Sequence, residues 1–150
     1  MKRLYIQMNA KRWLVLYSVL MICLLFGRNI VDAHDYWNQV RANMNVVPFH
    51  TMKLYLRVLA ENRGQMLIRH AIVNLVGNVV MFIPLGILLP QVHQVLRSTW
   101  RFFVMAVILI CLVELIQLFS LTGCCDVDDL ILNVFGAGIG FIGYKCCGTK

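Results

Sequence analysis

The sequence has few charged residues, which make up 14% of its 150 residues. Soluble domains average about 25% charged and about 45–50% apolar residues, whereas 60% of this chain is hydrophobic. Together with a mean hydropathy of +0.73, this composition excludes an ordinary soluble domain and is typical of a membrane protein. Low-complexity stretches and internal repeats are also missing, so residues 1–150 are predicted to form a single membrane domain.

The spacings that are typical of metal sites are missing as well. The six cysteines include two adjacent pairs, Cys124–Cys125 and Cys146–Cys147, instead of the C-x2-C spacing that surrounds zinc. Cys23 and Cys111 lie within apolar runs, where a thiol behaves as a small hydrophobic side chain. The four histidines share no spacing with one another or with the cysteines. We therefore expect free thiols and no histidine metal site.

The net charge of +7 does not indicate a nucleic-acid partner. The basic residues are scattered and flank apolar runs, a distribution that anionic lipid headgroups and the rules of membrane topology explain more simply. We therefore expect membrane lipids as partners, and no nucleic acid.

Three apolar runs have the roughly 20 residues that a helix needs to cross a hydrocarbon core about 30 Å thick. The first run, Trp13–Gly27, is shorter and spans only if the helix continues to Val31 while Arg28 extends its side chain to the interface. We therefore predict an all-α membrane protein, a bundle of about four transmembrane helices. The predicted spans are about 13–31, 71–90, 100–119 and 127–146, and a long outer loop at about 32–70 separates the first two.

A cleaved signal peptide is the alternative for the first run. Four basic residues precede a short apolar core, and residues 31–33 form a passable cleavage site. We favour a retained span because the basic segment is long and the run ends in Gly27–Arg28 without the small residues that a peptidase prefers.

Basic residues also predict the orientation of the bundle. With the N-terminus inside, eight lysines and arginines lie in short cytoplasmic segments, six are spread over the long outer loop, and none lies in residues 120–126. This density favours both termini in the cytoplasm. Within the outer loop, Met52–Gly64 fits either a strand or a helix and is expected to lie on the outer leaflet.

The polar residues within the last three spans are predicted to meet at one level. Asn74 and Asn78 lie ~5 and ~10 Å below the outer end of the second span, at about 1.5 Å per residue. Glu114 and Gln117 lie about 8 and 3 Å from the outer end of the third span, and Asn133 lies about 9 Å deep in the fourth. All five therefore fall in the outer third of the membrane, beside the aspartates that begin the fourth span.

These positions predict a polar pocket at the outer face. The asparagines alone could be interhelical hydrogen-bond partners, and two of the aspartates could form a capping box. A glutamate at membrane depth, however, usually marks a function or a buried partner. The predicted pocket residues are Asn74, Asn78, Glu114, Gln117, Asp126, Asp129 and Asn133.

Carboxylates and carboxamides are hard oxygen ligands, which suit Mg²⁺ or Ca²⁺. No cofactor is expected, but if such a cation binds, Glu114, Asp126 and Asp129 are its predicted ligands. Glu114 and an aspartate could instead act as an acid and a base. The sequence contains no G-x-S-x-G elbow or other recognisable nucleophile, so catalysis is not indicated.

A glycine-rich stretch follows within the last span. Residues 138–143, GIGFIG, formally match the dinucleotide fingerprint, but no strand precedes them and they lie inside a predicted span. Gly136 and Gly140 have the G-x-x-x-G spacing and are predicted to let two helices pack closely.

Four blocks of sequence resemble the VanZ-like family of bacterial membrane proteins. The blocks are NVVPFH (45–50), NLVGNVVMFIPLGILLP (74–90), ELIQLF (114–119) and DVDDLILNVFGAGIGFIGY (126–144). The resemblance covers about residues 20–145 and includes Pro48, Phe49 and the predicted pocket residues. Many members carry an arginine three residues before the first aspartate of the last block, where this chain has Gly123.

The resemblance implies a place in the bacterial plasma membrane and a role at the cell surface, because the member that names the family is associated with lowered sensitivity to teicoplanin-type glycopeptides. We expect the pocket to bind a lipid headgroup or a cell-wall precursor, with Pro48 and Phe49 covering it. One alternative is a membrane enzyme that uses Glu114 with Asp126 or Asp129 on a lipid-linked substrate. The other is a structural subunit of a membrane complex.

Overall fold

The computed structural model describes residues 2–27 and 35–148, with the backbone alone for 2–8 and 148. Four of its helices are long and apolar enough to cross a membrane. The chain is therefore the all-α membrane bundle that the sequence predicts. In chain order the elements are α1 (Lys2–Phe26), α2 (Tyr36–Ala42), β1 (Met44–Asn45), α3 (His50–Ala60), α4 (Gln65–Val92), a 3-10 turn (Gln94–Arg97), α5 (Thr99–Phe119), β2 (Cys125–Asp126) and α6 (Val127–Gly148).

The first span lies closer to the N-terminus than predicted. α1 ends at Phe26, directly before Gly27, and its apolar window begins at Asn9. The Gly27 N–H still donates to the carbonyl oxygen of Cys23 at 3.0 Å. The predicted continuation through residues 28–31 lies outside the described residues.

The helix of the second span is longer than the predicted span, because the six residues before Ala71 are also helical. α4 begins at Gln65, and this first part of the helix packs against α3, where the rings of Tyr55 and His70 meet edge to face at 5.9 Å between centroids. The chain around α3 was compatible with a strand or a helix, and the structure has a helix there.

A two-residue ladder attaches the long loop to the start of α6. β1 and β2 run parallel, with Met44 opposite Cys125 and Asn45 opposite Asp126. Within the loop before this ladder, Tyr36 of α2 donates its hydroxyl to the carbonyl oxygen of Phe119, at 2.8 Å. These contacts hold α2 and α3 over one end of the bundle.

The closest helix pair in the bundle is α4 with α6. A Cβ atom added to Gly136 would lie 2.1 Å from the carbonyl oxygen of Val79, and one added to Gly140 would lie 2.0 Å from that of Ile83. Gly86 of α4 faces α6 in the same way. Only glycine permits such an approach of two backbones, so the predicted role of Gly136 and Gly140 in close packing is confirmed.

An aromatic cluster fills the end of the bundle where α5 begins and α6 ends. Phe102 stacks on Phe141 with 4.3 Å between ring centroids, and Phe103 meets Phe141 at an angle. α1 joins the bundle through the Tyr17 hydroxyl, which donates to the carbonyl oxygen of Met81 at 2.9 Å. Polar side chains lie at the opposite end of the bundle.

Replacing Gly140 with alanine should destabilise the protein, because the new methyl group would overlap the carbonyl oxygen of Ile83. The expected loss is about 1–3 kcal/mol of unfolding free energy, as for other overpacked sites. Gly143→Ala is the matched control, since a Cβ atom there meets no atom within 4 Å. Unfolding of both variants in detergent would measure the difference, and equal stability would contradict the close packing.

Thiol labelling should report the predicted orientation. Cys124 and Cys146 are both exposed, but a membrane-impermeant maleimide should label only Cys124 in intact cells and both after permeabilisation. Burial raises the pKa of the half-buried Cys125 thiol. Since maleimide reacts with the thiolate, Cys125 should react more slowly than Cys124. Labelling of Cys146 alone in intact cells would mean the opposite orientation.

Candidate functional site

A cavity of about 270 Å³ lies at the end of the bundle where α1 and α5 end and where α4 and α6 begin. All four spans contribute to its wall, and the turn after α5 adds Thr122, Gly123 and Cys124. Alternating spans that start and end at the same level bring these residues together. Polar side chains that are predicted to lie at one level therefore line one cavity.

Six of the seven predicted pocket residues line this cavity. Each span after the first supplies two of them: α4 contributes two asparagines, α5 a glutamate and a glutamine, and α6 an aspartate and an asparagine. Apolar side chains such as Leu24, Leu25 and Met81 form the remaining wall. The six residues are Asn74, Asn78, Glu114, Gln117, Asp129 and Asn133.

Glu114 and Asn133 form the most deeply buried part of the site. Glu114 is 6% exposed and Asn133 3%, and the Asn133 amide donates to Glu114 Oε1 at 3.2 Å. Glu114 Oε2 and Asn133 Oδ1 are buried without a hydrogen-bond partner among the described residues. A buried polar atom without a partner costs about 1–3 kcal/mol, so this pair has two acceptor atoms ready for a donor.

The other lining residues have partners on neighbouring elements. Asn78 donates to Asp129 Oδ1 at 2.5 Å, which joins α4 to α6. Gln117 donates to the carbonyl oxygen of Leu25 at 3.3 Å and thereby holds the last turn of α1. Asn74 donates to the Tyr55 hydroxyl of α3. The cavity wall is thus tied together by side-chain amides.

Asp126, the seventh predicted residue, lies beside the cavity and does not line it. Its carboxylate accepts hydrogen bonds from the Thr51 hydroxyl at 2.6 Å and from the Asn45 amide at 3.1 and 3.2 Å. It also accepts the backbone N–H of Asp128 at 2.8 Å, which makes it the N-cap of α6. The capping interpretation therefore describes Asp126, whereas Asp129 faces the cavity.

Asp128 is a structural residue that the sequence analysis missed. It is 1% exposed, and its two carboxylate oxygens accept the backbone N–H groups of Phe49 at 2.5 Å and Met52 at 2.9 Å. The first N–H group belongs to Phe49, the N-cap residue of α3, and the second to Met52 in the first turn; the Phe49 side chain makes no cap bond. The first four N–H groups of a helix need partners from outside the helix. Phenylalanine has no side-chain acceptor, so its presence at the N-cap indicates that another residue supplies the acceptors.

The predicted cover of the pocket is not seen in the structure. Neither Pro48 nor Phe49 is among the lining residues. Phe49 has a left-handed backbone with a φ of 63° and a side chain that is 52% exposed. Its backbone N–H is held by Asp128, so these two residues form the turn into α3 instead of a lid.

The predicted cation ligands are divided between two places. Glu114 and Asp129 line the cavity, whereas Asp126 is engaged by Asn45 and Thr51. Across the part of the chain that the structure describes, no three His, Cys, Asp or Glu residues come close enough together to hold a metal ion. A cation in the cavity would therefore have two carboxyl groups and the neighbouring amide oxygens.

Comparison with known proteins identifies a family. A family model described as VanZ/LLP1 matches residues 14–148, nearly the whole chain. No curated protein and no solved structure gives a significant match. The matched range contains the last three spans, the larger part of the first and every residue that lines the cavity.

Replacing Asp128 with alanine should release α3 from α6, because two backbone N–H groups would lose their acceptor. We expect a loss of about 1–3 kcal/mol in unfolding free energy and faster proteolysis between Asn43 and Phe49. Glu61→Ala is the control, since the Glu61–Arg63 ion pair is exposed and such pairs contribute about 0–1 kcal/mol. Equal proteolysis of the two variants would contradict the capping role of Asp128.

Proposed function

The chain belongs to the VanZ/LLP1 family, and from this premise we propose that it binds a lipid headgroup or a cell-wall precursor in its polar cavity. In this proposal the protein lies in the bacterial plasma membrane with the cavity at the outer face. Occupancy of the cavity changes the surface chemistry of the envelope and lowers sensitivity to teicoplanin-type glycopeptides.

The observation that carries the proposal is the buried pair of Glu114 and Asn133. Both residues line the cavity, and each keeps one acceptor atom without a partner among the described residues. A purely structural pair would satisfy these atoms, because unpaired polar groups at membrane depth cost free energy. A ligand with hydrogen-bond donors would satisfy them and gain affinity from doing so.

The placement at the outer face follows from the distribution of basic residues. The cavity lies at the end of the bundle that carries residues 120–126, which contain no lysine or arginine. Short segments without basic residues are typical of the side away from the cytoplasm. Headgroups of the outer leaflet and membrane-linked wall precursors are the ligands available there.

The proposal predicts teicoplanin resistance that depends on the cavity. A sensitive Gram-positive host that expresses the chain should need more teicoplanin for inhibition, with vancomycin measured in parallel. Asp129→Asn and Glu114→Gln should abolish this increase at equal protein abundance, because each removes a carboxyl group from the cavity. Glu61→Gln changes an exposed carboxylate of the loop and should retain it.

Two outcomes would contradict the proposal. Full resistance in both cavity variants would mean that the carboxyl groups are not needed. No increase with the unaltered chain, once it is shown to be in the membrane, would mean that the fold is shared with the family but the phenotype is not. A loss that follows protein abundance alone would favour the structural-subunit alternative.

A further inference from the structure

A second depression lies on the same pair of helices as the polar cavity, farther from the outer loop. It is an apolar groove of about 370 Å³ between α1 and α4, lined by residues that include Leu16, Leu20, Pro84 and Leu88. The polar cavity contacts the same two helices one to two turns nearer the outer-loop end, at Leu24 on α1 and Gly77 on α4. The two depressions therefore follow each other along one seam of the bundle.

The lining of the polar cavity favours a cationic hydrogen-bond donor. Two carboxyl groups and four carboxamides line it, and no lysine, arginine or histidine is among its described lining residues. Within the part of the chain that the structure describes, Glu114 Oε2 and Asn133 Oδ1 are acceptor atoms without a hydrogen-bond partner, on residues more than nine-tenths buried. An ammonium group has only donors and a positive charge, so it complements both the charge and the empty acceptors.

The rim of the polar cavity on the α1–α4 side is apolar and exposed. Leu24 and Val73 line the cavity and present most of their surface outward, where lipid surrounds a membrane bundle. Arg69 lies one helical turn before Val73 and is exposed. A phosphate held at this rim would have a guanidinium partner while its attached group points inward.

The seam runs from the outer-loop end of the bundle past the middle of the hydrocarbon core. From Leu24 to Leu16 the axis of α1 advances ~12 Å, and from Val73 at the rim to Leu88 that of α4 advances ~22 Å. Half of a hydrocarbon core about 30 Å thick is about 15 Å. An acyl chain that starts at the rim and follows the groove therefore reaches beyond the midplane.

We propose that the seam is a binding site for a phospholipid with a primary amine, such as an ethanolamine headgroup. The ammonium group lies between Glu114, Asp129 and Asn133, the phosphate lies at the rim near Arg69, and one acyl chain follows the α1–α4 groove. This inference rests on the proposed function, since it names the class of ligand for the same cavity. A quaternary ammonium lacks N–H donors, and an anionic headgroup is repelled by the carboxyl groups.

The test measures which lipids remain on the purified full-length protein. Native mass spectrometry after exchange into mixed micelles would compare phosphatidylethanolamine, phosphatidylcholine and phosphatidylglycerol with identical acyl chains. We expect a preference of about tenfold or more for phosphatidylethanolamine, the size of one charge-assisted hydrogen bond. Equal retention of the three lipids would overturn the proposal.

Variants of the polar cavity test the headgroup part of the site. Asp129→Asn should reduce the preference, since it removes a carboxylate and preserves shape. Gly123→Arg offers a second test, because Gly123 lines the cavity and the flexible Gln117 side chain is its nearest neighbour. The added guanidinium should compete with the lipid ammonium and lower phosphatidylethanolamine retention. An unchanged preference in both folded variants would refute the assignment.

A matched pair on α1 tests the acyl-chain part. Leu20→Trp fills the groove and should weaken retention of phosphatidylethanolamine. Val19→Trp places the same ring on an exposed neighbouring position outside the groove and should leave retention unchanged. Equal effects of the two substitutions would overturn the placement of the chain.

The same experiment separates this inference from the proposed function. If a lipid-linked wall precursor is retained through Asp129 and phosphatidylethanolamine is not, the ligand class proposed here is wrong and the proposed function stands. If the ethanolamine preference depends on Asp129 while expression leaves teicoplanin sensitivity unchanged, the lipid site stands and the resistance role is wrong.

Discussion

The close approach of α4 and α6 is the constraint on which the rest of the structure depends. Backbone contact at Gly136 and Gly140 lets the two helices meet without intervening side chains. Apolar side chains give no net hydrophobic gain between helices in lipid, so close packing of this kind is a main source of association. It also fixes the first turns of α6, which places Asp129 within reach of Asn78.

Three nearby aspartates at the start of α6 have three different surroundings because each helical residue is rotated by about 100° from the last. Asp126 caps α6 and binds the loop through Asn45 and Thr51. Asp128 faces α3 and supplies its cap, while Asp129 faces the cavity. Asp126 and Asp128 therefore have structural roles, and Asp129 is the aspartate that lines the cavity.

Much of the site could be predicted from sequence because helix rise and span direction are fixed quantities. The four spans alternate in direction, so the distance of a residue from the end of its helix gives its depth in the membrane. By this reasoning Glu114, Asn78 and Asn133 have similar depths, and all three line the cavity. The roles of Asp128 and Phe49 could not be predicted, since the bond between them joins positions far apart in sequence. This bond depends on how the loop folds back onto α6. The periodicity of a helix gives no information about the path of such a loop.

The unequal attachment of the four spans explains how a buried polar site can remain accessible. α4, α5 and α6 share the glycine contacts and the aromatic cluster, whereas α1 is the least buried of the four spans. The Tyr17 hydroxyl and the Gln117 amide attach α1 to α4 and α5 through backbone carbonyl groups. Each of these hydrogen bonds contributes about 0.5–1.5 kcal/mol net, and α1 adds the buried Met21 to the apolar core. The α4–α6 pair preserves the geometry of Asn133 and Asp129, and in the proposed function α1 forms the side through which a membrane ligand would reach them.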